Sequence, residues 1–483
     1  MPKIVVIGGG IAGLSAAYRI REAEPAAEVR VLEASARHGG KVLSREFSAG
    51  AHRFVADLGP NGFLDNEPAT LDLASKLGLA DRLLRSSEEA RRRYVYRDSA
   101  LHKLPESPPA FLKSDLLSWR GKARVALDLL VPRARTEAAE RESVAEFARR
   151  RVGAEALTAM VEPFVTGVFA GDPEQLELAT AFPKMAKLER EHGGLVKALL
   201  SLERKRRRET PPGGEPKRTT ICSFRDGMSE LTGALAHSLG DRIWTQARAT
   251  QLLPLERDRW LVSLDHRGWP TTLEADAVVL ATPAPEAAAL LAPFAPEVAR
   301  EAESVTAAPI AVVILGFSES AARPAAFDGF GFLIARGEKL QILGALAESS
   351  IWPSRVRNER GETSDGFLAR VMIGGVHRPE LVDLDDSELI RIATEDLARA
   401  TGLSASPILT HVERWHRAIP QYVLGHGERM KRIDAALQPH KTLQLAGASW
   451  RGVAVNDLCR NAASIAERVH GALRRTTPHS SPG

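Results

Sequence analysis

Residues 3–33 read KIVVIGGGIAGLSAAYRIREAEPAAEVRVLE, and their order settles what kind of domain opens the chain. KIVVI is a short β-branched run of the kind that fills a buried strand. Gly8, Gly9, Gly10, Ile11, Ala12 and Gly13 follow, then helix-forming LSAAYRIREAE and a second strand that ends at Glu33. The pattern is GxGxxG between a strand and a helix, with an acid at the end of the next strand. Gly8 permits the tight turn, Gly10 lets the backbone approach a pyrophosphate, and Gly13 lets the helix lie close on the sheet. The helix N-terminus, at Ile11 and Ala12, offers free N–H groups and a positive dipole end to the phosphates. Glu33 can accept hydrogen bonds from a ribose 2′-OH, and its charge argues against a 2′-phosphate. The stretch predicts a dinucleotide-binding Rossmann unit.

The residues after Glu33 decide which dinucleotide. ASARHGGKVLS begins at Ala34 and carries Gly39, Gly40 and Lys41, two glycines and a cation that extend the pyrophosphate side. This extension resembles the FAD-binding class that includes amine oxidases, phytoene desaturases and protoporphyrinogen oxidases. A second cluster, LQLAGASWRGVAVNDL at 443–458, reads as a strand ending in Gly447, a loop through Gly452, and a helix that begins near Val455–Asp457. Backbone N–H groups at that helix N-terminus can face the flavin's pyrimidine edge, where negative charge develops on reduction. Together the two clusters favour FAD over NAD.

Between them the chain leaves and re-enters the nucleotide domain. The expected fold is α/β (α+β overall): a Rossmann-like FAD-binding domain, a mixed-sheet substrate domain and a helical, membrane-associating insertion. FAD-binding segments are expected at 1–84 (shared with the substrate domain), 220–289 and 411–475, a helical insertion at 85–205, and a substrate sheet at 290–410. Within the second segment, residues 243–252 read as one strand, and AVVLATP at 277–283 as a buried strand.

Of the 483 residues, 44% are hydrophobic and 26% charged, which excludes whole-chain disorder. Cys222 and Cys459 are the two cysteines, which excludes a disulfide scaffold or a cysteine-built metal cluster. Much of the formal net charge of +4 sits in LERKRRRETPPGGEPKR at 202–218. That run reads as a solvated loop, with contact to anionic lipid as the alternative, and no nucleic-acid motif accompanies it. The thirteen histidines show no HExxH-type spacing, so no metal is expected. No apolar run approaches the ~20 residues of a spanning helix, and no signal peptide is expected.

At a finer level the chain is similar, almost end to end, to the protoporphyrinogen/coproporphyrinogen oxidase family, the oxygen-dependent flavoenzymes of haem synthesis. The carriers are DLGPNGFLDNEP (57–68), RRRYVY (91–96), LPESPPAFLKSDLLS (104–118), EPFVTGVFAGDPEQLEL (162–178), AFPKMAKLEREHGG (181–194), GFGFLIA (329–335), LGAL (343–346), MIGG (372–375), IPQYVLGH (419–426) and GASWRGVAVNDL (447–458). GVFAGDP, AFP, GFGFL and PQY-LGH are more selective than GxGxxG. The chain departs from the family at Ala448, Ser449 and Trp450, where relatives often carry Asn-Ser-Tyr or Asn-His, and at Val455, commonly isoleucine.

The resemblance implies FAD as cofactor and oxidation of protoporphyrinogen IX to protoporphyrin IX by three two-electron steps, with O2 as acceptor and H2O2 as by-product. It implies substrate contacts at Arg93, pairing with a propionate, at Gly167, through its backbone carbonyl, at Leu333 and Leu346, flanking one pyrrole ring, and at Met372. The alternatives are a solvated arginine edge (the reading for Arg91 and Arg92), a turn glycine at 167, and core positions for the Leu and Met residues. Cofactor contacts are implied at Gly8, Gly10, Ile11, Ala12, Gly13, Glu33, Ala34, Gly40, Lys41, Gly59, Pro60, Asn61, Ala249, Trp415, Gly447, Gly452, Val453 and Val455, with a structural role as the alternative for Trp415. His377, His416 and His426 are candidate polar contacts, structural roles being favoured. The flavin carries the chemistry, so no catalytic side chain is expected. The implied partners are a porphyrinogen, O2, a peripheral membrane surface and ferrochelatase as receiver of the product, with a homodimer left open and no nucleic acid. The implied location is the inner face of a bacterial cell membrane, from the cytoplasmic side. Competing readings are coproporphyrinogen III oxidation, whose four propionates call for more cations at the pocket mouth, an FAD amine oxidase, a carotenoid-type desaturase and a non-catalytic flavoprotein.

Overall fold

The structure, a computed structural model, describes residues 1–134, 141–209, 219–318 and 328–476. Its first layer is a parallel five-stranded sheet in the order Ile243–Thr245, Glu28–Glu33, Lys3–Ile7, Ala277–Leu280, Leu443–Leu445. KIVVI and AVVL are apolar without alternation because both faces are covered. Ile4 and Val6 pack under the helices Ile11–Ala23, Ser229–Leu239 and Val455–Thr476. Val5 and Ile7 face the antiparallel layer Ala247–Leu255, Arg259–His266 and Trp269–Ala275. The expected single strand at 243–252 is two: Gln246, at φ +54°, breaks it, and the halves join different sheets.

The second layer is a seven-stranded mixed sheet in the order Leu409–Pro420, Ala307–Phe317, Phe367–Gly374, Ile342–Ala347, Gly331–Ile334, Arg93–Arg97, Ala100–Lys103. One face is sealed by the helix Asp386–Thr401 over Val313, Ala345, Val371 and Phe332. The other meets the FAD-side strand His52–Asp57 through Phe54, Ala56 and Leu58 against Ile310, Val312 and Leu368.

The third part is helical from Pro108–Lys113 to Leu195–Glu209. It does not begin at residue 85, because RRRYVY and its successor form a hairpin at the edge of the large sheet. Arg151 is fully buried at its centre between Asp128 (3.2 Å) and Glu189 (2.7 Å). The basic run expected as a loop from 202 is helical to Glu209, since Leu, Lys, Arg and Glu all favour the helix. Residues 210–218, the PPGG part, lie outside the described residues. Among the described residues no helix is long and apolar enough to cross a membrane. Exposed large apolar side chains gather on the helical part: Leu112, Trp119, Leu127, Leu130, Leu199 and Leu202.

Candidate functional site

The glycine turn has the close approaches its spacing requires. Gly8 is at φ +111°, and a Cβ there would lie 2.7 Å from the Ala281 carbonyl oxygen. A Cβ at Gly13 would stand 1.9 Å from the Gly8 carbonyl oxygen, so the helix can lie on this turn only with glycine there. Gly10 is the helix N-cap, with Ile11 and Ala12 buried in the first turn. Gly10 bridges to Gly39, and Gly40 (φ +58°) lies across from it. Glu33 Oε2 accepts from the Gly9 N–H at 2.8 Å, and Oε1 accepts from the N–H and hydroxyl of Ser35 at 2.8 and 2.7 Å. This fixes the carboxylate at the mouth of the turn. Ala34 lines an open cavity of about 480 Å³ with Gln246, Arg248 and Arg267. Ala249 is half-buried in the strand beside it.

The C-terminal cluster meets this turn from the far side of the sheet. Leu443–Leu445 pairs with Ala277–Leu280, which brings Gly447 (φ +110°) next to Ala281. Gly452 (φ +80°) leads into the helix Val455–Thr476 and could carry no Cβ, because Asp457 Cβ would be 2.4 Å away. Val453 packs toward Tyr422, and Val455 is in the core beside the glycine-turn helix. The family departures at Ser449 and Trp450 fall on buried side chains. Ser449 Oγ accepts from the Ala284 N–H at 3.1 Å, and the Trp450 carbonyl is held by His426 Nε2 at 3.0 Å.

A dinucleotide fits these residues. Open space surrounds two glycines on the crevice: a Cβ at Gly10 would meet nothing nearer than Gly40 Cα at 3.8 Å, and one at Gly447 nothing nearer than 3.9 Å. These are the places where side chains would obstruct a phosphate or ring against backbone N–H groups. The crevice also lies at the carboxyl ends of the parallel strands, where open α/β sheets bind ligands.

A third segment, 58–61, runs from this crevice to the large sheet. Trp415 Nε1 donates to the Leu58 carbonyl at 2.7 Å, and Arg370 Nη2 donates to the Gly59 carbonyl at 2.5 Å. A Cβ at Gly59 would lie 1.8 Å from the Lys41 carbonyl oxygen. Pro60 follows, and Asn61 Nδ2 reaches Glu348 Oε1 at 3.4 Å. Lys41 sends its ammonium to the Ala418 carbonyl at 2.8 Å, toward the large sheet. Burial lowers its pKa to about 8, with Glu286 opposing and Arg417 adding to the shift.

The substrate candidates share one face of the large sheet. Directly paired residues share a face, as do residues two apart along a strand. Met372 pairs with Gly344, Gly344 with Leu333, and Leu333 with Val95. In the adjacent row Arg370 pairs with Leu346, Leu346 with Gly331, and Gly331 with Arg93. Arg93, Leu333, Leu346 and Met372 are therefore gathered on one surface, with Trp415 further along it opposite Ile310. Arg93 is exposed, lies over the Phe330 ring at 4.9 Å, and has no ion pair among the described residues. Its neighbour Arg92 pairs with Asp328 and Arg91 with Glu88, so the three arginines differ in kind.

Gly167 is not in a turn. It lies within the helix Glu162–Phe169, which crosses this face, and a Cβ there would stand 3.0 Å from the Leu333 methyls. Earlier in the same helix, Glu162 is buried with Oε2 unpartnered among the described residues, and burial raises its pKa. It lines a cavity of about 230 Å³ with Thr166, Arg336, His377 and Arg378. His426 is buried and stacked on Tyr422, while His416 is exposed. Sequence reasoning missed Arg370, Glu348, Arg355 and Asp57, four buried charges behind the 58–61 segment. Their signal was a charge inside an apolar strand: Arg370 interrupts FLARVMIG.

A parallel sheet with a glycine turn, a ribose acid and a returning C-terminal glycine loop defines an FAD-dependent oxidoreductase. The sequence profile of the flavin containing amine oxidoreductases matches residues 11–470, and the chain belongs to that family, whose cofactor here is FAD. Within it, this chain is 32% identical to the protoporphyrinogen oxidase of Homo sapiens, over 99% of each chain. It is 29% identical to the coproporphyrinogen III oxidase of Bacillus subtilis (strain 168), over 94% of this chain and 95% of that one. Its fold is shared with an Exiguobacterium sp. 255-15 protein assigned as a protoporphyrinogen oxidase, at a TM-score of 0.79 and 24% identity, over 97% of this chain and 98% of that one.

Proposed function

We propose that this chain oxidises protoporphyrinogen IX to protoporphyrin IX with O2, releasing H2O2. The observation that carries this reading is the single sheet face bearing Leu333, Leu346 and Met372 with an uncommitted arginine, Arg93, at its outer edge. A flat apolar macrocycle with carboxylate arms suits that surface: the ring on the Leu and Met side chains, a propionate on the guanidinium fork. The relatives named for porphyrinogen oxidation support it.

Bound FAD supplies the two-electron acceptor. Gly8, Gly10 and Gly13 with the N-terminus at Ile11 and Ala12 would hold its pyrophosphate, and Glu33 its ribose. Gly40, Gly59–Asn61, Trp415 and the 447–455 loop would line the remainder. Arg93 orients the substrate, while Gly167 and its helix keep water from the reacting edge.

The helical part, with its exposed Leu112, Trp119, Leu127 and Leu130, would rest on the membrane and open the pocket to a poorly soluble substrate. We divide the chain along the expected segments except at two places: the 93–103 hairpin, expected in the helical insertion, and the strand Leu409–Pro420, expected mostly in the last FAD-binding segment, go to the substrate sheet. Product would pass to ferrochelatase.

The test is porphyrin fluorescence in air with protoporphyrinogen IX and coproporphyrinogen III side by side, on protein whose visible spectrum shows flavin. Faster turnover of protoporphyrinogen supports the proposal. Preference for coproporphyrinogen would move the enzyme to the other substrate, and a flavinated protein that turns over neither would refute porphyrinogen oxidation.

A further inference from the structure

Four buried charges form an alternating chain that ends against the 58–61 segment. Asp57 Oδ2 accepts from Arg355 Nη1 at 2.7 Å, Arg355 Nη1 also reaches Glu348 Oε2 at 3.4 Å, and Glu348 Oε1 lies 4.0 Å from Arg370 Nη1. All four are buried, and the chain is neutral as a whole, with its positive end at Arg370. The Asp57 end is saturated: Oδ1 takes the Ser44 hydroxyl at 2.5 Å and the Met228 N–H at 2.8 Å. Arg355 is held by Ser223 Oγ at 2.6 Å and the Phe224 carbonyl at 3.2 Å, with Nε unpartnered among the described residues. The Arg370 end is held more lightly: Nη2 holds the Gly59 carbonyl, Nη1 lies 4.0 Å from Glu348 Oε1, and Nε, like that of Arg355, has no partner among the described residues. Burial drives Glu348 up and Arg370 down in pKa, while each opposes the shift of the other.

A charge inside an apolar strand is costly, and an apolar residue there would pack at lower cost. Arg370 and Trp415, both on the large sheet, hold consecutive carbonyls of the segment that leads away from the FAD crevice. The Lys41 carbonyl blocks Gly59 from behind.

We propose that Arg370 is a positioning residue that fixes the 58–61 segment against the flavin and directs the positive end of the buried chain toward it, favouring the reduced cofactor. This rests on the placement of 58–61 in the FAD site and not on the substrate. A fixed charge in a dry interior is weakly screened and needs no reorganisation when charge develops nearby. Glu348 restrains the effect by opposing that charge.

The experiment is anaerobic dye equilibration of the flavin potential in FAD-loaded wild type, Arg370→Met, Arg370→Lys and Glu348→Gln. Arg370→Met should shift the reduction equilibrium about tenfold toward oxidised flavin, about 30 mV for a two-electron couple. Arg370→Lys should recover most of the shift, and Glu348→Gln should move it the opposite way. A merely structural arginine would change thermal stability and leave the potentials equal, and that result overturns the proposal. Should Arg370→Met fail to hold flavin, Glu348→Gln decides: a raised potential supports the role, an unchanged or lowered one overturns it. No porphyrinogen enters the measurement, so failure of the substrate reading would leave this outcome distinct.

Discussion

Arg93 and Arg370 stand in one cross-strand row with Gly331 and Leu346 between them, and the row continues past Arg370 through Ile314 to His411. At about 4.8 Å per strand their backbones are about 14 Å apart. The inner arginine is bound to Gly59 and near Glu348, whereas the outer one lies over the Phe330 ring and has no ion pair among the described residues. The face is thus directional: Arg93 offers a ligand's acid end a cation with no ion pair among the described residues, and the ligand's body would lie inward over Leu333, Leu346 and Met372.

Arg93→Ala should raise KM for the porphyrinogen about tenfold or more with little change in kcat. The propionate contact is the same in ground and transition states, and a charged hydrogen bond is worth about 1.5–3 kcal/mol. Steady-state kinetics check it; an unchanged KM would take Arg93 out of the substrate site.

Gly167→Ala should fold, because alanine favours the helix that contains it. Its methyl would press on Leu333 from 3.0 Å and displace that side chain. A loss in kcat/KM of about tenfold to a hundredfold is expected, with a melting temperature within a few degrees of wild type. Equal loss of stability and activity would assign Gly167 to packing alone.

Glu33→Ala removes the acceptor for the Gly9 and Ser35 N–H groups as well as the ribose contact. The ratio of flavin to protein absorbance after dialysis should fall several-fold. Retention of full flavin content would count against the ribose role.

His426 gives the protein an acid limb. Burial, helped by Arg429 and Arg451, lowers its pKa to about 4, while the Trp450 carbonyl bond opposes the shift. The unfolded chain, at about 6.5, binds this proton more readily. Stability from the neutral ring is complete above about pH 6.5 and is lost progressively down to about pH 4, by up to about 3 kcal/mol. Melting curves across that range should show a shallower slope in His426→Gln than in wild type.

The sequence disclosed what depends on local spacing. Gly8, Gly13 and Glu33 act within one strand–turn–helix, so their roles could be read from order alone. It disclosed less where partners are distant. For Gly167 the alternative of a turn glycine stayed open beside the substrate contact, because its close neighbour is Leu333, on a strand far along the chain. The RRRYVY hairpin fell inside an otherwise helical stretch, since its pairing partner is Gly331–Ile334. Arg370 is visible as a charge among apolar residues, but Gly59, Glu348 and the other members of its chain come from three separate segments.

The parallel sheet puts strand Leu443–Leu445 beside Ala277–Leu280, and so completes the cofactor crevice with residues made late in synthesis. The glycine turn emerges first and must wait for the 447–455 loop, on the order of a minute at 5–20 residues per second. Flavin capture therefore waits until the 447–455 loop has been made. A ribosome that stalls after the large sheet has been made releases a chain with an open, apolar cleft and no pigment. Colour would report that synthesis had passed the 447–455 loop.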